Sequence, residues 1–77
     1  MEKIAFKLNN DRKDEILDIL ESLGGIDSND IRSQTYYTGA DPLCYYIDKD
    51  GEITVVFEWY AKIMGYSIKT IDDWNRK

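Results

Sequence analysis

The sequence predicts one α+β domain over residues 1–77: a mostly antiparallel sheet of three to five strands, an amphipathic helix packed on one face, and a short C-terminal helix. Three observations carry this expectation. Apolar residues alternate with polar or small ones at the start of the chain, an apolar stripe recurs at helical spacing between Ile16 and Leu23, and two β-rich runs flank Lys49-Asp50-Gly51.

Taken in order, Ile4, Phe6 and Leu8 alternate with Lys3, Ala5 and Lys7, the period of a strand with one face on a core, over residues 2–8. Asn9-Asn10-Asp11 then offers side-chain oxygens to cap a helix, and Asp14 and Glu15 place negative charge where first-turn amides favour it. Ile16, Ile19, Leu20 and Leu23 form one stripe, widened by Leu17, on a helix over 11–24. Gly24-Gly25 ends it, because glycine enters the left-handed region without a Cβ penalty. From Ile26 to Pro42 polar residues dominate, with Gln34–Tyr37 as a candidate edge strand, and Thr38-Gly39-Ala40-Asp41-Pro42 reads as a turn.

Residues 43–48 and 52–58 form a hairpin whose three-residue loop, Lys49-Asp50-Gly51, carries glycine at the left-handed position. That loop length pairs Ile47 with Ile53, Tyr45 with Val55 and Leu43 with Phe57 on one face, and Tyr46 with Thr54 and Cys44 with Val56 on the other. Residues 58–64 suit either a continued strand or one or two helical turns up to Gly65. Tyr66-Ser67-Ile68 reads as a strand. Thr70 caps a terminal helix with Asp72 and Asp73 in its first turn, Arg76 and Lys77 at its end, and Ile71 and Trp74 as anchors.

A chain of 77 residues has room for one core and buries only roughly 60% of its unfolded surface. With Cys44 as the single cysteine no internal disulfide forms, so self-association, as a homodimer, is the expected supplement. The N-terminal Met1–Lys7 lacks the apolar run of a secretory signal, no segment approaches the roughly 20 apolar residues that cross a bilayer, and an unpaired thiol suits a reducing cytoplasm. Fifteen acidic against ten basic residues give a net charge of −5, which opposes nucleic-acid phosphates and anionic membranes and favours protein partners.

The absence of histidine removes Ser-His-Asp and Cys-His mechanisms and every histidine-containing metal site. Cys44 lies mid-strand and reads as a structural thiol. Asp27-Ser28-Asn29-Asp30 and Asp48-Lys49-Asp50-Gly51-Glu52 invite a calcium reading, but neither keeps EF-hand spacing, and turn chemistry explains both. Asp72 and Asp73 project about 100° apart on a helix, which favours a helix start over an acid–base pair. Leu23-Gly24-Gly25 follows a helix, whereas phosphate loops follow a strand. No catalytic residue, metal site or cofactor is therefore expected, and the chain reads as a non-enzyme.

Six Tyr and two Trp are the unusual feature, more rings than so small a core holds. Tyr36, Tyr37, Tyr46, Trp59, Tyr60 and Trp74 are the candidate interface residues, since exposed Tyr and Trp anchor protein contacts. The leading expectation is a small non-catalytic protein-binding module. The alternatives are an acidic inhibitor that mimics nucleic acid toward a host defence protein, and a small-ligand binder or enzyme using Tyr and Asp.

Leu23-Gly24-Gly25, the hairpin Tyr45-Tyr46-Ile47-Asp48 with Gly51 and Ile53, and Gly65-Tyr66-Ser67-Ile68-Lys69-Thr70 followed by Ile71-Asp72-Asp73-Trp74 together resemble a group of small uncharacterised proteins encoded by gut Bacteroidetes and their phages. The resemblance implies a mobile-element or accessory context and transfers no active-site residue.

Overall fold

The computed structural model describes residues 3–76. Among them, strands β1 (Ile4–Lys7), β2 (Leu43–Ile47), β3 (Ile53–Phe57) and β4 (Ser67–Lys69) form one mixed sheet in the order β3-β2-β1-β4. β2 is antiparallel to β1 and β3, and β4 runs parallel beside β1. The helices are α1 (Lys13–Ser22), α2 (Glu58–Ile63) and α3 (Ile71–Asn75), with single 3-10 turns at Asn10–Arg12 and Ile31–Ser33. Glu2 and Lys77, expected in the first strand and last helix, lie outside the described residues.

The hairpin takes the register that its loop length dictates, with Ile47 opposite Ile53, Tyr45 opposite Val55 and Leu43 opposite Phe57. Asp48 holds the turn: its Oδ1 accepts the Asp50 and Glu52 N–H groups at 2.9 and 3.0 Å. Helix entry follows the capping logic as well. Asn9 Oδ1 accepts the Arg12 N–H at 3.1 Å, and the chain makes one 3-10 turn before α1 proper begins. Thr70 Oγ1 accepts the Asp73 N–H at 3.0 Å and starts α3.

Period-two alternation sends the two sets of strand residues to opposite faces. On one face Ile4, Phe6, Tyr45, Ile47 and Ile53 meet Ile16, Leu17 and Leu20 of α1 and Ile71 of α3, and each fully buried Phe, Leu or Ile contributes about 1.5–3 kcal/mol. The reverse face is covered too. Ala5, Cys44 and Tyr46 pack against Ala61 of α2, flanked by Val56, Tyr66 and Ile68, and small side chains on both sides let the helix lie close. Residues 58–64, which suit strand or helix by sequence, are thus helical from Glu58 to Ile63, and the sheet is sandwiched between α1 and α2.

Gln34–Tyr37 is not a strand, contrary to the sequence expectation. Side chains take its backbone groups instead: Lys13 Nζ donates to the Gln34 carbonyl, and Asn10 Nδ2 donates to the Tyr36 carbonyl at 2.7 Å. The same long connection starts by pairing with the sheet. Ile26 accepts the Ile53 N–H at 2.9 Å, and Asn29 Nδ2 donates to the Ile53 carbonyl at 3.1 Å, so residues 26–29 cover the first residue of the β3 edge.

Candidate functional site

At the far end of β3 the chain leaves the sheet and turns at once into α2, and this junction concentrates exposed rings. Phe57, the last strand residue, stacks on Trp59 with centroids 5.8 Å apart and planes at 11°, and Trp59 meets Tyr60 edge-on at 6.0 Å. The three side chains remain 43%, 50% and 40% exposed. Beside them a shallow cleft of about 510 Å³ wraps the β3 edge, lined by Tyr36, Leu43, Tyr46, Val55, Val56, Phe57 and Tyr60, none of them charged.

What holds the rings out is the buried base beneath them. Glu58 opens α2 with its N–H donating to the Pro42 carbonyl at 2.9 Å, while its buried side chain, 8% exposed, pairs its carboxylate with Lys7 Nζ at 3.4 Å. Ala61 follows on the same buried side, so Trp59 and Tyr60, between them on the helix, project away from the sheet.

Of the candidate interface residues, Trp59 and Tyr60 belong to this cluster and Tyr36 sits half-buried at the rim of the cleft. Tyr37 is 83% exposed on the irregular connection. Two others pack inward rather than standing out as interface rings: Tyr46 reaches the surface only where it lines the cleft, and Trp74 takes the anchoring role expected of it on the terminal helix. Tyr46 is buried edge-on against Tyr66, which donates its hydroxyl to the Ile47 carbonyl at 2.7 Å, and Trp74 closes edge-on over Phe6 at 5.4 Å on the α1 face. Sequence reasoning missed Phe57 as an anchor because strict alternation assigns it to the core face with Leu43. Its spacing of two from Trp59 in Phe57-Glu58-Trp59-Tyr60 is the signal that would have found it.

The remaining reactive groups have structural work. Cys44 is fully buried and its thiol is pushed up to about 12, first by loss of water and then by the Glu58 charge, both of which disfavour the thiolate. Asp27 accepts the Ile31 and Arg32 N–H groups at 2.7 and 3.1 Å and caps the second 3-10 turn. Asp48, Asp50 and Glu52 bring carboxylate oxygens within 4.8 Å of one another, yet Asp48 is engaged by the turn amides and by Thr54, and Glu52 by Ser28. Asp72 pairs with Arg12 of the 3-10 turn that precedes α1. Among the described residues no helix is long and apolar enough to cross a membrane. No family model, curated protein or solved structure matches the chain.

Proposed function

We propose that this domain is a non-catalytic protein-binding module of accessory or phage type, whose contact surface is the Phe57, Trp59 and Tyr60 cluster at the uncharged β3 cleft. The observation that carries the reading is the half-exposed ring stack itself. Tyr and Trp held rigidly at a surface offer large contact area at little entropic cost, the chemistry of an interface anchor. Two further features support it. Burial that disfavours the Cys44 thiolate, and a sequence without histidine to serve as its base, fit a non-catalytic reading. Five of the fifteen carboxylates are held by two arginines within the molecule, since Asp14, Asp18 and Glu21 converge on Arg32 at 2.7–3.2 Å and Glu15 and Asp72 hold Arg12, and none of these lines the cleft, which favours apolar contact there over charge mimicry.

The test is capture by the tagged protein from a nuclease-treated Bacteroidetes lysate, the host chosen from the resemblance described above, with Trp59→Ala as control. One enriched protein that the variant loses, while its circular dichroism and thermal midpoint stay within the range of a surface substitution, is the expected result. A partner retained equally by Phe57→Ala, Trp59→Ala and Tyr60→Ala would overturn the assignment of the site.

A further inference from the structure

The backbone beside the ring cluster is open in a way that matches a second copy of itself. Asp48 and Glu52 pair across the hairpin, as do Pro42 and Glu58, so the intervening ladder bonds join Tyr46 with Thr54 and Cys44 with Val56. By that parity Ile53, Val55 and Phe57 turn their N–H and C=O groups to the outer edge. Ile26 and Asn29 take both groups of Ile53, and the Phe57 carbonyl starts α2. No described residue takes the Val55 N–H, the Val55 carbonyl or the Phe57 N–H. These are the groups that two antiparallel β3 strands exchange when a two-fold axis passes Val56: each Phe57 N–H donates to the Val55 carbonyl of the other copy.

We infer that the β3 edge is a self-pairing surface, at which two copies of this chain join their sheets antiparallel across Val55–Phe57 with their ring clusters packed against the seam. This rests on the protein-contact reading and names its partner. The register keeps the second strand clear of residues 26–29, which block the edge only at Ile53. Register selects the occupant. Related by the two-fold, two Val55–Phe57 edges set the same open donors and acceptors opposite one another, and a cleft lined without a single charged side chain puts no like charges face to face at the seam, although the molecule as a whole carries −5. Area sets the strength. A buried aromatic side chain covers about 150–250 Å², so the exposed parts of Phe57, Trp59 and Tyr60 give about 300 Å² per copy. A stable dimer needs about 800 Å² per partner, so the edge and its rings make a weak, transient dimer that forms only at high protein concentration.

Sedimentation equilibrium from micromolar to near-millimolar protein, with amide exchange by NMR at both ends of that range, tests it. The mass should rise from 9.0 kDa toward twice that value, and exchange at Val55 and Phe57 should slow as it does. Phe57→Pro should return the mass to one chain. Phe57 has φ −68°, which proline adopts, and its N–H has no partner among the described residues, so this change removes the edge donor and the seam ring together without opposing the backbone. Phe57→Ala, which removes the ring and keeps the donor, should weaken the dimer and leave the slowed Val55 exchange at high concentration. A single-chain mass at every concentration overturns the inference. So does a dimer whose Val55 and Phe57 amides exchange as fast as in dilute solution, or one that persists in Phe57→Pro. A monomer that still captures a Trp59-dependent partner removes self-pairing alone. A monomer with a blank capture removes the protein-contact reading as well.

Discussion

Tyr45 is fully buried in the middle of β2, among Phe6, Ile16 and the α1 leucines, yet carries a polar atom there. Its hydroxyl completes no hydrogen bond with any described residue: the Asn9 backbone approaches without reaching bonding geometry. Burial accordingly raises the phenol above its ordinary value, because ionising it in an apolar site is unfavourable. An unpaired buried hydroxyl costs about 1–3 kcal/mol of desolvation, whereas the ring supplies the packing. Tyr45→Phe keeps the ring and removes the unpaired group, so urea unfolding should show stability unchanged or raised, by about 1 kcal/mol. Tyr66→Phe is the contrast at the same scale: it would delete the hydroxyl that donates to Ile47, a bond made to a carbonyl beside the hairpin turn.

At the scale of elements, those with strong local chemistry were legible and those set by neighbours were not. The hairpin register follows from Lys49-Asp50-Gly51 and alternation alone, and the Thr70 and Asn9 caps follow from their hydroxyl and amide oxygens. α2 could not be told from a strand, because Glu58–Met64 tolerates both and the choice is made by Ala61 and Glu58 seating on the reverse face of the sheet. Gln34–Tyr37 has strand-like residues, but Lys13 and Asn10 divert its carbonyls. Half of the site was readable as an excess of rings. Which rings emerge depends on where the strand ends, and that lies in tertiary packing. The same dependence makes the α1 exit sensitive to volume. Gly25 is buried where a Cβ would meet Ile53 and Ile47 side chains at 2.8 and 2.9 Å and the Leu20 carbonyl at 3.0 Å. Those contacts anchor the end of α1 to the hairpin, so neither side yields easily. Gly25→Ala should destabilise the domain by about 1–3 kcal/mol of overpacking, read as a lower urea midpoint with the slope unchanged.

Across the whole molecule the net charge of −5 opposes any contact between two copies, whatever their apolar patches gain. The opposition is long-range, because no acidic side chain lines the cleft and the exposed carboxylates act on the approaching copy through solvent. Salt therefore has a definite sign. Between about 10 mM and about 150 mM ionic strength the screening length falls from roughly 30 Å to roughly 8 Å, shorter than the width of the domain. Repulsion between two −5 bodies fades over that change, while ring packing and edge hydrogen bonds at the seam are scarcely screened. Self-pairing at β3 should accordingly strengthen with added sodium chloride, seen as a larger dimer fraction at fixed protein concentration in sedimentation equilibrium. A basic partner drawn in by the carboxylates would show the reverse, a complex weakened by the same salt, as would a nucleic-acid mimic on its target. The direction of the salt response thus separates a molecule that associates in spite of its charge from one that associates because of it.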